Sequence, residues 1–202
     1  MSDGEKAGKR PYRMRARAEA AEATGERILD AAETVFFERP LEQVTLVAIA
    51  EQAGVSVQTV IRRFGDREAL FGAVIARTAI QVSQQRGEAR PGDVEGAARV
   101  MAEHYEEVGD GVLRLLGEEG RNPALRQLAE MGRAYHRDWC QRVFAPALRG
   151  LRGVARERRL AQLVAVTDVY TWKLLRRQSG LSARQTELAL RELLEALTAS
   201  AP

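Results

Sequence analysis

The chain has 202 residues, enough for one large domain or two small ones, and its 45% hydrophobic content supports a real core beneath a surface fed by 29% charged residues. The longest apolar run, Leu46–Ala50, falls far short of the ~20 residues a bilayer crossing requires, and the first ten residues are charged with no apolar stretch, which argues against a membrane partner or a secretory signal. One cysteine, Cys140, excludes a disulfide framework, so the expected setting is cytoplasmic; with 31 Lys and Arg against 28 Asp and Glu, total charge alone does not demand a nucleic-acid partner.

In chain order, residues 1–23 lack apolar periodicity and are rich in Gly, Ala, Lys and Arg, which reads as a basic flexible arm that turns helical near Ala18–Ala23. A first helix is expected over about Gly25–Phe37, capped by Thr24, buried along Ile28, Ala32, Val35 and Phe36, and stopped by Pro40. Thr45 caps a second helix ending at Gly54, and Ser56 caps a third over about Val57–Phe64. Gly65 breaks the chain and Asp66 caps a fourth helix running to about Gln85. The stretch Arg86–Gly92 has the composition of a linker. Asp93 caps a fifth helix that glycines 109, 111, 117 and 120 interrupt, leaving a short segment at Val112–Leu116 and a place for a mobile gate. Asn122-Pro123 starts another helix that ends near Pro146. A helix over about Arg156–Arg177 and a last one capped by the Ser182/Gln185 box close the chain. No sustained alternation of period two occurs, so the fold is expected to be all-α.

The chemistry sits in TLVAIAEQAGVSVQTVIRRF, Thr45–Phe64. Two short helices joined by a glycine-containing turn make a helix-turn-helix. Ala50 is small enough for close helix approach, Gly54 supplies the turn, and Val55 and Val60 plug the interface. Gln58, Thr59, Arg62 and Arg63 then lie on the outward face of the third helix; Gln and Arg read base edges bidentately, while Ser and Thr suit phosphates. Charge gives no independent support, since residues 1–67 hold eleven basic and eleven acidic side chains. On an ordinary surface helix Arg62-Arg63 would be a solvated pair; within this motif the DNA reading is the stronger.

The segment TGERILDAAETVFFERPLEQVTLVAIAEQAGVSVQTVIRRFGDREALFGAVI, about Thr24–Ile75, closely resembles the N-terminal domain of the TetR family of bacterial transcriptional repressors. The resemblance implies an all-α fold of about nine helices: a three-helix helix-turn-helix domain, here 24–70, followed by a helical effector-binding and dimerisation domain, here 71–202. It also implies a homodimer that binds a palindromic double-stranded DNA operator and is released by a small-molecule effector. Thr45, Ser56, Gln58, Thr59 and Arg63 fall where members of the family commonly touch DNA, and Arg67 where they often place a lysine on the phosphate backbone. Two departures are visible. Ile61 and Arg63 stand where the family usually has aromatics, and apolar Val57 stands where it often has lysine and is suited to a thymine methyl. Core packing is the competing role for Val57 and Ile61.

For the effector, a largely hydrophobic or aromatic molecule is expected among Met101, Tyr105, Leu116, Tyr135, Trp139 and Trp172, because scarce aromatics (5% of the chain) cluster in sequence around the glycine-rich stretch. Plain core packing is the alternative for each. His136 and Cys140 lie at i, i+4 but lack further ligands, so no metal or other cofactor is expected. No nucleophile elbow, phosphate loop or zinc-protease motif occurs, so the chain is read as a non-enzyme. Two rival readings remain: a ligand-independent or architectural DNA-binding protein, and a helical enzyme using His104, His136 or Cys140.

Overall fold

The architecture comes from a computed structural model, which describes residues 5–39 and 43–199. Ala, Glu, Arg and Lys, all strong helix formers, dominate the first forty positions. They form one long helix, α1 (Glu5–Glu38). The expected arm over residues 5–23 is therefore helical, and the helix starts some twenty residues before the predicted Gly25. Propensity outweighs the missing apolar stripe. Thr24 is no cap, since its hydroxyl donates to the Ala20 carbonyl inside the helix at 2.8 Å. Residues 1–4 of the arm and the Pro40 stop lie outside the described residues.

Three further helices complete the N-terminal part: α2 (Leu46–Ala53), α3 (Val57–Phe64) and α4 (Arg67–Gly87). Their core is small and aliphatic. Ile28, Ala31, Ala32 and Val35, at helical spacing on α1, meet Ala48, Ile49 and Ala50 of α2, Val60 of α3, and Leu70 and Val74 of α4. Opposite the acidic face of α1, Arg77 of α4 bonds Glu26, Asp30 and Glu33, ending 84% buried in a clamp of three carboxylates.

The chain divides into two compact units after Thr78, eight residues beyond the expected boundary at 70, with α4 beginning in the first and ending in the second. The second unit contains α5 (Val94–Glu118), α6 (Pro123–Val143), α7 (Ala145–Leu148), α8 (Gly153–Val166), α9 (Val169–Trp172), a π-helical stretch Lys173–Gln178, and α10 (Ala183–Thr198). In it α10 packs chiefly on α5 and also on α8, while α6 packs against α5 and α8. Its core joins Val100, Met101 and Tyr105 of α5 to Trp139, Cys140 and Val143 of α6, Leu160 and Leu163 of α8, Trp172 of α9, and Leu190 and Leu194 of α10. Among the described residues there is no strand.

Two expectations for this unit are corrected. First, α5 is unbroken through Gly109, Gly111 and Gly117. Gly109 is buried because the six-membered ring of Trp172 lies there: a Cβ at that position would come within 2.6 Å of it. The glycine admits a ring and interrupts nothing, which removes the proposed gate. Second, the helix predicted over Arg156–Arg177 is three pieces. The Thr167 hydroxyl donates back to the Leu163 carbonyl at 2.8 Å, and the Asp168 carboxylate caps a new helix at the Tyr170 amide, 2.9 Å. The Ser182/Gln185 capping box forms as its sequence suggests.

Candidate functional site

Two places in the structure concentrate functional side chains, one in each unit. The first is the α2–turn–α3 segment. Thr45 caps α2, its Oγ1 accepting from the Ala48 amide at 3.1 Å. Gly54 then turns the chain with φ 65° and ψ 37°, a left-handed conformation that a side chain disfavours, and its amide closes the helix on the Ala50 and Glu51 carbonyls. Ser56 caps α3 through the Thr59 amide at 3.1 Å, and the Ser56 and Thr59 hydroxyls lie 2.9 Å apart. Val60 is the buried pivot of α3, 1% exposed.

The predicted residues distribute around this frame. Thr45, Ser56, Gln58, Arg62, Arg63 and Arg67 are exposed; Thr59 and Val57 are half-buried. Val57 packs against the first core, so the core-packing role weighed for it is part of its environment, whereas Ile61 is 41% exposed. Arg63 is less outstretched than helical projection implies. Its guanidinium lies across α1, 2.9 Å from where a Cβ on Gly25 would stand. Gly25, which sequence reading used as a helix start, makes room for that guanidinium, a relation between positions thirty-eight apart that local patterns do not display. Asp66, not Arg67, caps α4, accepting from the Ala69 amide at 2.8 Å. Because Asp66, Glu68 and Glu51 are also exposed, the surface around α3 is mixed in charge, not broadly basic.

The second place is a buried polar cluster in the second unit. Arg86, assigned to a linker from composition, is the last-turn residue of α4 and only 5% exposed. Arginine can only donate, so its Nη1 gives a hydrogen bond to His136 Nδ1 at 3.0 Å. That places the imidazole proton on Nε2, which donates to Thr167 Oγ1 at 3.1 Å. Thr167 passes its own proton to the Leu163 carbonyl, and the Cys140 thiol approaches the same hydroxyl at 3.4 Å. His104 Nδ1 donates to Gln85 Oε1 at 3.0 Å. The Tyr105 hydroxyl donates to the Thr167 carbonyl at 3.2 Å, and the Trp139 indole N–H to the Arg86 carbonyl at 2.9 Å.

Burial, reinforced by the Arg86 charge, pushes both His104 and His136 down to about 3 and keeps them neutral. Burial pushes the Cys140 thiol up to about 11 and raises the Tyr105 hydroxyl well above its ordinary value. Among the described residues no group of three or more His, Cys, Asp or Glu could hold a metal ion.

Of the six residues predicted to meet an effector, Met101, Tyr105, Trp139 and Trp172 are buried in one core, with Leu116 at its edge. Tyr135 is half-buried, its ring 5.5 Å from the Arg86 guanidinium carbon. Trp172 donates its indole N–H to Glu106 at 3.0 Å, and Arg177 stacks over it at 4.6 Å. An open groove of about 430 Å³ in the same unit has different walls, including Val94, Phe144, Pro146, Arg149 and Arg159, and includes none of the six. Asp168 serves as the α9 cap.

An all-α chain with a capped, glycine-turned helix pair near its N-terminus belongs to the helix-turn-helix class of proteins. Residues 28–74 match the family model described as bacterial regulatory proteins, tetR family. The fold of the chain resembles a protein from Rhodococcus sp. described as a TetR-family transcriptional regulator, at a TM-score of 0.66 and 17% identity over 88% of this chain and 100% of the other. A transcriptional regulator from Rhodococcus sp. Rha1 aligns with a TM-score of 0.64 and 18% identity, covering 88% of this chain and 98% of its own. A Mesorhizobium loti protein described as a TetR-family regulator gives 0.62 and 20% identity over 89% and 96%. No curated protein matches the chain.

Proposed function

We propose that the protein is a dimeric transcriptional repressor that binds double-stranded DNA through α3 and leaves it when a small molecule occupies the second unit. The observation that carries the DNA reading is the presentation of α3: an eight-residue helix capped by Ser56, pivoted on buried Val60, with Gln58, Arg62 and Arg63 exposed. Gln58 and Arg62 are placed to read base edges in a major groove. Thr45 accepts from the Ala48 amide yet keeps its own proton, which it can give to a phosphate. Ser56, Thr59 and Arg67 are assigned to the backbone, and Val57 to a thymine methyl through what remains exposed of it. Arg63 must lift from Gly25 to reach DNA, or else acts by bracing α3 against α1.

Homodimerisation is supported by apolar side chains left uncovered on α8 and α10, namely Val154, Leu188 and Leu193. Such faces gain stability from a two-fold partner, and a two-fold operator presents its half-sites about 34–36 Å apart. For the effector, the support is the buried cluster of Met101, Tyr105, Trp139 and Trp172 with Leu116 and Tyr135 beside it. Its close packing favours a second reading, a ligand-independent DNA-binding protein, and a test has to separate the two.

Capture of genomic fragments by the purified chain, followed by mobility shifts on the selected sequence, provides that test. Gln58→Ala or Arg62→Ala should cost ~1–3 kcal/mol on the selected operator and relax its sequence preference. Arg67→Ala should weaken all sequences alike and lower the salt slope by about one. Wild-type binding by all three variants at matched salt refutes the assigned face. A compound screen read as operator release distinguishes the repressor from its ligand-independent rival.

A further inference from the structure

Arg86 is a buried cation without a counter-ion. Its Nε is buried and has no hydrogen-bond partner, and among the described residues no carboxylate pairs with it. What surrounds it is neutral. His136 holds Nη1, His104 is bonded to Gln85, and the rings of Tyr135 and Trp139 stand 5.5 and 5.8 Å from the guanidinium carbon. Both histidines are uncharged at neutral pH, and burial keeps the Tyr105 hydroxyl and the Cys140 thiol protonated. The carboxylate of Asp168, whose charge is felt by Tyr105 and Cys140, is bonded to the Tyr170 amide as a helix cap. A charged group is not buried cheaply without a partner, and a guanidinium edge is shaped to take a carboxylate.

We propose that the second unit binds a small aromatic monocarboxylate, whose carboxylate pairs with the unused Nε edge of Arg86 and whose apolar body lies among Met101, Tyr105, Tyr135 and Trp139. The charge count selects a monoanion: one cation stands among neutral groups, so a phosphate or a dicarboxylate would bring a second, uncompensated charge. The aromatic body follows from the rings that flank the guanidinium. This inference rests on the effector reading above and deepens it, replacing a neutral hydrophobic ligand by an anionic one.

The full chain is titrated with benzoate and phenylacetate, and with benzamide and phenylacetamide as uncharged counterparts, by calorimetry and by thermal shift. At least one acid should bind about tenfold or more tighter than its amide, because an amide leaves the guanidinium uncompensated. Arg86→Met should abolish that preference, and the unliganded variant should melt no lower than wild type, since it removes an unpaired charge. Arg86→Lys, which keeps the charge but not the fork, should bind the acid more weakly and still prefer it to the amide; it carries the test if the methionine variant does not fold. Equal binding of acid and amide, undiminished acid binding by Arg86→Met, or no binding of either acid at millimolar concentration overturns the proposal. Operator release by a neutral compound, alike in wild type and Arg86→Met, overturns it while sparing the effector reading. Arg86-dependent acid binding with no release of DNA leaves the site standing and removes its regulatory role.

Discussion

Replacing Gly109 by alanine tests the packing of the second unit with a single methyl group. Two effects oppose each other. Alanine in a helix interior is favoured over glycine by ~0.5–1 kcal/mol. Against that, the new Cβ would lie 2.6, 2.8 and 3.0 Å from three carbons of the Trp172 six-membered ring. The ring cannot simply retreat, because its N–H is bonded to Glu106 and Arg177 is stacked over its face. Overpacking of a close-packed core costs ~1–3 kcal/mol. The net expectation is a loss of about 1–2 kcal/mol, at roughly 2–4 °C of melting temperature per kcal/mol for a chain of this length. Gly117, on the same helix with open space at its Cβ position, is the control: Gly117→Ala should be neutral or slightly stabilising. Calorimetry and urea unfolding followed by circular dichroism measure both variants. Trp172→Phe, which withdraws the offending carbons, should cost less in the Gly109→Ala background than alone, by a coupling of about 1 kcal/mol. A Gly109→Ala protein as stable as Gly117→Ala would show that Trp172 does not hold the position described.

The remaining expectations are briefer. His104 and His136 are the chain's only histidines, and both have folded values lowered from 6.5 to about 3. The unfolded chain therefore binds more protons between those limits, so their contribution is complete above pH 6.5 and is lost as pH falls toward 3, by up to about 1.4 kcal/mol per unit for each histidine. Imidazole NMR signals that titrate near pH 6.5 in the native protein would contradict this. Arg77→Met should destabilise the first unit by about 1–3 kcal/mol in urea, because Glu26, Asp30 and Glu33 lose their shared cation and face one another; an unchanged midpoint would mean the clamp is solvated and weak. Leu188→Glu with Leu193→Glu, both substitutions at exposed positions of α10, should yield soluble monomers by light scattering, whereas a persistent dimer would place the interface elsewhere.

What the sequence disclosed was whatever is decided within a few residues. Gly54, Thr45, Ser56 and the Ser182/Gln185 box are local devices, and each governs its own turn or cap from the types of its neighbours. The helix-turn-helix was legible for that reason. The grouping of large side chains in the second unit was partly so, because Met101, Tyr105, Trp139 and Trp172 do share a core. Hidden features depend on distant partners. Gly109 looks like a helix breaker until Trp172, sixty-three positions later, is laid against it. Arg86 stands in a string of residues with linker composition, and only His136 and the backbone bond from Trp139 reveal that it is interior. Thr167 resembles one more helical residue until its hydroxyl is seen bonded to the preceding turn. The long α1 was obscured differently: apolar periodicity marks a helix that buries a face, and it says little about one sustained by propensity.

Both tryptophans, Trp139 and Trp172, are buried in the second unit, and the first unit has none. Indole emission therefore reports on that unit alone, while helical ellipticity reports on both. Following one denaturant titration by the two signals resolves the chain without any label. Superimposed curves would mean a single cooperative system; an ellipticity change that leads or trails the emission change would give the two units separate stabilities. The half that holds Arg86 is thus optically marked, and the half that presents Arg62 and Arg63 is dark in the same experiment.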